Sequence, residues 1–472
     1  EKRYEGNRGV KMAKKPKAKV RQQTSKNLRR NLLFIPLVAL VIKFIWLAVI
    51  PGHGMLGADG ENYLSAVEGL YKDGIFSTVT NLHYWPAGYS ILIWLFSLIH
   101  KSAAVTIMGV LQTILYCAGC AYFVDQIRRT RLQRFSYGIA LILAFNPTLS
   151  LNSMALGYET PTASLILLGF GLLINNYVKN SNKVLNKDVL IAGVSFTVAS
   201  FMQPRLMIIG FVLALVWGFA QYGKKSALIF IALVVGITLV GPAFMVVRNE
   251  KAMGFTAIST NLGTTMKLGA GPGATGGYSN KNEHPVPCTE IQGNAAQIDQ
   301  HTTLCVIKWY LSNPSESLGL FIRKGVYFWS PWFGPVANGT MARNPWLKID
   351  PVVNMAKTQE GFNTVFGNAG KLVSWIWLVG QIFFLYWGFK FLWSVNGLER
   401  LIGISALFPI LLSWATALLT IGDHRFRIPT MGLSLFLQIV GFMALFGGKS
   451  RLVGSQTPLR WKTFERNANL QP

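Results

Sequence analysis

The sequence predicts an all-α, polytopic membrane protein of about ten spans. Three observations lead there. The 472 residues are 51% hydrophobic and only 14% charged, where an ordinary soluble domain carries about a quarter charged. Several apolar runs reach the ~18 residues that a membrane-crossing helix needs. Those runs, such as ALIFIALVVGITLVGPAFMVV (227–247), lack the alternation of a barrel strand. Hydrocarbon cannot satisfy an open backbone, so they read as helices.

Taken in order, residues 1–30 form a basic arm with twelve Lys/Arg and two Glu. The formal charge of the whole chain is +26. The arm leads straight into an apolar run. It therefore reads as an orientation signal and an anionic-lipid contact, not as a nucleic-acid arm. No small-residue cleavage site follows FIWLAVIPGHG (44–54), so the first span reads as retained. Met12 reads as a natural start, with 1–11 an extension.

Spans are expected at 31–50, 103–125, 135–152, 161–178, 187–203, 205–222, 226–247, 371–394, 401–421 and 428–447. With the N-terminus inside, the basic segments 128–134, 178–187, 224–225, 399–400 and the tail 448–472 all fall on the cytoplasmic side. That agreement requires the short run GYSILIWLFSLIH (88–100) to lie at the outer surface instead of crossing. The domain layout is then the arm, a transmembrane domain over 31–447, and the tail. Two outer segments interrupt the spans, at 51–102 and 248–370. The second is long enough that short helices are expected within it, one of them over ESLGLFIRKGVYFWSPWF (316–333).

Cys117 and Cys120 lie inside a span and read as small apolar fillers. Cys288 and Cys305 both fall in the second outer segment, on the oxidising side of a bacterial envelope, and form a candidate disulfide.

Four of only 19 acids crowd into GADGENYLSAVEGLYKDG (57–74), directly after the first span. Tyr63, Ala66, Val67 and Leu70 recur at helical spacing. Asp59 then reads in two ways. It caps this helix, with Glu61 a first-turn acid, or it is a base that takes a proton from an attacking hydroxyl at the membrane surface. Glu68 and Asp73 read as solvated charges. A substrate with a lipid tail and a phosphate would need cations on the same face. The chain supplies Arg425 and Arg427 flanking Phe426 beside Asp423 and His424, Arg248 with Lys251, Arg205, and Arg323 with Lys324.

Three segments carry a family resemblance. They are the acidic stretch followed by NLHYWPAGYSILIWLF (81–96), then RNEKAMGFTAISTNLGTTMKLGAGPGATGGY (248–278), then HRFRIP (424–429). In that order they resemble bacterial membrane glycosyltransferases of the GT-C class, relatives of protein O-mannosyltransferases and lipid A aminoarabinose transferases. The resemblance implies a GT-C-like bundle and transfer of a sugar from a polyprenyl-phosphate donor to an acceptor hydroxyl, with inversion. It implies a catalytic role for Asp59, with Glu61 as support or alternative base, and donor-phosphate contacts for Arg425 and Arg427. Arg248 and Asn249 match the family's Arg-Asn pair, with a structural or phosphate-neighbouring role. Tyr63, Tyr84, Tyr89, Glu159 and His424 are expected near substrate. The sequence departs from the pattern at Ala87 and Ser90, at Gln203-Pro204-Arg205 where the arginine is shifted, at Phe426 in place of Tyr, and at Ala270.

Glycines between 263 and 277 read as flexible turns or a backbone cradle for a sugar or phosphate. No strand–loop–helix unit makes them a nucleotide-binding loop. The six His show no metal-ligand spacing. A divalent cation fits between carboxylates and a phosphate but is not required beside these arginines. The expected partners are a polyprenyl-phosphate-linked sugar, an acceptor of unspecified kind, membrane lipids and a membrane complex, but no nucleic acid. Two other readings are a non-catalytic membrane scaffold and a lipid or solute transporter. A transporter predicts polar groups at mid-membrane depth, and Lys43 is the main one here.

Overall fold

The computed structural model describes residues 16–49, 56, 59–179, 183–277, 284–329 and 368–447. The expectations for residues 1–11, for 330–333 of the second outer segment and for the tail 448–472 lie outside the described residues. The first helices in chain order are α1 (Pro16–Val49), α2 (Gly60–Asp73), α3 (Ala87–Ser97), α4 (Ala104–Arg128), α5 (Ser136–Phe145) and α6 (Pro147–Asn152). There follow α7 (Glu159–Val178), α8 (Lys187–Met202), α9 (Met207–Gln221) and α10 (Lys224–Met253). The second outer segment holds α11 (Leu262–Leu268), α12 (Ala295–Ser312) and α13 (Pro314–Trp329). The chain returns through α14 (Asn368–Ser394), α15 (Leu398–Leu419) and α16 (Ile428–Phe446). No strand occurs among the described residues.

Eight of these helices are long and apolar enough to cross a membrane: α1, α4, α7, α9, α10, α14, α15 and α16. The other two expected spans are shorter, and proline is the reason in both. Residues 135–152 are not one helix. Pro147 cannot donate and pushes Asn146 out of helical backbone (φ −57°, ψ 123°). The Asn146 side chain then caps α6 by accepting from Leu149 N at 3.0 Å. Likewise α8 stops after 16 residues, because Gln203 is extended before Pro204.

The run at 88–100 is a short helix, as its length suggested, and one of its faces packs against the bundle while Leu95 and Phe96 stay exposed. Tyr89, Ser90, Ile91 and Ile93 of α3 are buried. Gly88 lies so close to α8 that a Cβ there would sit 1.9 Å from the Phe201 carbonyl oxygen.

An aromatic seam holds the bundle centre. Phe123 on α4 stacks edge-on to Phe436 on α16 at 5.6 Å and lies 5.8 Å from Phe170 on α7. Phe170 in turn meets Trp217 on α9 at 6.1 Å. Such edge-to-face pairs add about 0.5–1.5 kcal/mol each beyond burial. Glycines bring α14 and α16 to backbone contact. A Cβ on Gly388 would meet the Leu437 oxygen at 1.9 Å, and one on Gly441 would meet the Phe384 oxygen at 2.1 Å. Close approach of small residues is how helices associate where lipid gives no hydrophobic drive. Lys43, on the first span, is buried with its ammonium 4.3 Å from the Tyr116 ring and 3.9 Å from Cys117 Sγ.

One end of the bundle gathers the basic segments. Asp125 binds Arg29, Arg128 and Arg129 at 3.3, 2.9 and 3.0 Å. Arg129 donates to Asn175, Asn175 to Asp188, and Lys179 pairs with Asp188 at 2.8 Å. The Arg131 backbone N–H reaches Glu399 at 3.1 Å. Helix α7 runs from this basic end to Glu159, about 30 Å away at ~1.5 Å per residue.

The glycine contact makes a direct prediction. Gly388→Ala lowers the thermal midpoint of the purified protein, by about 1–3 kcal/mol of overpacking. Gly380→Ala, where nothing lies within 4 Å of the added Cβ, leaves it unchanged or slightly higher. Equal midpoints for the two variants would contradict the packing described.

Candidate active site

At the other end of α7, three segments far apart in sequence meet on one guanidinium. Arg425 Nη1 donates to Asp59 Oδ2 at 2.5 Å, and Arg425 Nε donates to Glu159 Oε1. Both carboxylates are nearly buried, Asp59 at 7% and Glu159 at 5% exposure. Asp59 stands at the N-cap position of α2 but makes no side-chain cap bond. The capping role is therefore replaced by the ion pair. Glu159 opens α7, and Gly157 gives its carboxylate room, since a Cβ there would lie 2.6 Å from Glu159 Oε2. Arg425 belongs to the 3-10 turn His424–Arg427 that precedes α16. Asp423 fixes that turn by accepting from Arg425 N at 2.9 Å.

Asp59, Asp423 and Arg425 border a cavity of about 530 Å³, and Glu159 stands behind Arg425 without lining it, a volume inside the range of small-ligand sites. One wall comes from the bundle: Asp59, Tyr63, Tyr158, Arg205, Asp423 and Arg425. Tyr84 and Trp85 supply aromatic faces, and Ser259, Asn261, Thr265 and Asp299 come from the second outer segment. Arg205 rests on the ring of Phe426, 4.0 Å from its centroid, and reaches the Tyr158 hydroxyl at 3.5 Å. It pairs with no carboxylate among the described residues. Phe426 thus supports Arg205 through its face, a role that needs no hydroxyl.

Burial holds the Tyr63 hydroxyl well above the ordinary tyrosine range, with Arg425 pulling the other way. Burial also raises Tyr158, against the pull of Arg205 and Arg425. Both phenols are therefore donors at neutral pH, not proton acceptors. Tyr89 lies beneath the wall, 4.8 Å from the Tyr63 ring. Its hydroxyl donates to Gln112 and accepts from Gly157 N at 2.7 Å. It positions the loop that delivers Glu159.

Several sequence-assigned residues are elsewhere. Glu61 is exposed on α2 and does not border the cavity; two helical steps turn it about 200° from Asp59. Arg427 is buried and donates to Gln381 Oε1 at 2.5 Å and to the Trp329 carbonyl at 3.2 Å. Arg248 is 1% exposed and is spent on backbone carbonyls of the first outer segment: Ile75 at 3.0 Å, Leu82 at 3.3 Å, and Ser77. Asn249 holds the Ala257 carbonyl at 2.7 Å. This arginine–asparagine pair staples both outer segments to the end of α10 and does not face the cavity. His424 is buried, with Nδ1 3.5 Å from Asp423. His83 Nδ1 lies 3.1 Å from the Thr260 hydroxyl. No group of three potential metal ligands occurs among the described residues.

Two features tie the second outer segment to the site. Lys324 is fully buried and donates to Tyr310 Oη at 2.8 Å, Leu418 O at 3.0 Å and Thr420 O at 2.5 Å. It thereby fixes α13 and α12 to the end of α15. Cys288 and Cys305 are bonded, with Cα atoms 5.9 Å apart, joining the loop before α12 to α12 itself. Sequence reading missed Tyr158 and Asp299. Tyr158 stands beside Glu159 and was findable there. Asp299, in AAQIDQH (295–301), looks like a solvated helix acid.

No protein-family model matches the sequence, and no curated protein matches it. Among solved structures the chain is similar to the archaeal oligosaccharyltransferase AglB from Archaeoglobus fulgidus, in complex with an inhibitory peptide and a dolichol-phosphate. The identity is 14% and the TM-score 0.42, covering 91% of this chain and 53% of that one. The chain thus spans about half the length of that protein.

Arg425→Ala leaves two buried carboxylates without their countercharge and costs about 3–5 kcal/mol, read as a large fall in thermal midpoint. Arg205→Ala breaks no ion pair among the described residues and costs less than ~1 kcal/mol. Similar losses for the two variants would contradict the assignment of Arg425 as the bridging group.

Proposed function

We propose that the chain is a membrane glycosyltransferase that moves a sugar from a polyprenyl-phosphate donor to an acceptor hydroxyl. One observation carries the reading. A carboxylate, Asp59, and two guanidiniums, Arg205 and Arg425, border a single cavity at the end of the bundle opposite the basic segments. By the charge rule that basic end is cytoplasmic, so the cavity faces outward across a bacterial inner membrane, with both termini inside.

In this reaction the donor phosphate sits against Arg205 and Arg425, and its tail lies along the apolar flank of the bundle. Asp59 takes the proton of the acceptor hydroxyl as that oxygen bonds to the anomeric carbon. The bond from the anomeric carbon to the phosphate oxygen breaks, and its electron pair leaves with polyprenyl phosphate. A single displacement of this kind inverts the anomeric centre. The guanidiniums stabilise charge growing on the leaving phosphate, so a divalent cation is not required.

The resting ion pair adds a coupling. A phosphate arriving on Arg425 competes with Asp59 for its Nη1 donor, while Glu159 keeps Nε. Loss of an opposite charge makes a carboxylate readier to accept a proton. Donor binding would then arm the base.

The pairing of Arg425 with two carboxylates also favours a second reading, in which the triad only holds together a non-catalytic scaffold. Turnover separates the two. Reconstituted wild-type protein, given a panel of radiolabelled polyprenyl-phosphate sugars, releases polyprenyl phosphate. Asp59→Asn lowers that rate by at least ~100-fold while the protein still folds, at a lower thermal midpoint, and still binds donor. Absence of release with every donor supports the scaffold, and wild-type turnover by Asp59→Asn would remove Asp59 from the chemistry.

A further inference from the structure

Asp299 is a cavity carboxylate that the reaction above does not use. One of its oxygens is pinned: Oδ1 accepts from Gly263 N at 2.7 Å. The pinning is built into the packing of α11 on α12. A Cβ on Gly263 would lie 2.5 Å from the Asp299 carbonyl oxygen, so only glycine lets this N–H come so near. The helix that carries Asp299 starts with a capping box between Asn294 and Gln297 and is tied down by the Cys288–Cys305 bond. The other oxygen, Oδ2, has no hydrogen-bond partner among the described residues. Burial pushes the Asp299 carboxyl up, the Gly263 N–H opposes this, and no charged group contributes. Asp299 lines the cavity from the second outer segment and forms no ion pair among the described residues.

Its neighbours on that wall, Ser259, Asn261 and Thr265, are small and hydrogen-bonding, and Tyr84 and Trp85 border the same space. Polar edges beside aromatic faces suit a ring that presents hydroxyls at its rim and C–H bonds on its face. They do not suit a phosphate, which a lone carboxylate would repel.

We propose that Asp299 is the residue that reads the sugar of the lipid-linked donor, accepting a ring hydroxyl on Oδ2 while the phosphate lies on Arg205 and Arg425. This rests on the glycosyltransferase reading. It makes Asp299 a specificity-determining contact, distinct from the base and from the phosphate site.

The test measures equilibrium binding to the full chain in lipid nanodiscs. The probes are bare undecaprenyl phosphate and its glucosyl, mannosyl, galactosyl and N-acetylglucosaminyl forms. In the wild type at least one glycosylated lipid binds about tenfold or more tighter than the bare phosphate, the worth of a hydrogen bond to a charged group. Asp299→Ala and Asp299→Asn both reduce that advantage at least fivefold and leave the bare phosphate affinity unchanged. Asparagine keeps an oxygen for Gly263 N–H, so a loss there does not come from local unfolding. Arg205→Ala weakens all five ligands alike. A wild-type ratio in the Asp299 variants, or equal wild-type binding of all five lipids, overturns the inference while the phosphate site stands. Failure of the wild type to bind any of them overturns the glycosyltransferase reading itself.

Discussion

The site depends on one buried guanidinium shared by two carboxylates. Arg425 lies 366 residues from Asp59 and 266 from Glu159. A cation at that depth is costly unless it is paired, and so is each acid. The three charges are tolerable together and expensive apart. That requirement draws the start of α2, the start of α7 and the turn before α16 to one point, and the cavity opens beside it.

The rest of the outer structure keeps that point in register. Arg248 and Asn249 bind backbone carbonyls of both outer segments from the end of α10. Lys324 ties α13 to the end of α15, and Gly422 N donates to the Gly276 carbonyl at 2.9 Å. Buried cations used on carbonyls are poor candidates for substrate contact, because a ligand would have to displace several charge-assisted bonds at once. This is why only two of the four arginines assigned from sequence border the cavity. At the far end, Asp125 performs the complementary task by bridging three arginines, one on α1 and two at the end of α4. The two ends thus divide the chemistry. One spends its charges on assembly, and the other leaves a cation, Arg205, without a carboxylate partner among the described residues.

The spans were legible because apolar length is a one-dimensional property, and the two short helices betray themselves through Asn146-Pro147 and Gln203-Pro204. Asp59 was legible as one of four acids crowded into 57–74, and Arg425 as one of two arginines flanking Phe426 ahead of the last helix. The direction of a side chain was not. Arg425 and Arg427 sit two residues apart on one 3-10 turn, yet one faces the cavity and the other faces Gln381. Glu61 follows Asp59 by two residues and points to solvent. Asp299 was invisible, since its placement follows from a tertiary fit against Gly263 that no local pattern encodes.

The most direct measurement is a double-mutant cycle on thermal stability with Asp59→Asn, Arg425→Gln and the pair. Contact through a shared ion pair predicts a coupling of more than about 1 kcal/mol, with the double variant more stable than the sum of the single losses allows. Losses that add to within about 0.5 kcal/mol would show that Asp59 and Arg425 do not meet, and the site would have no centre.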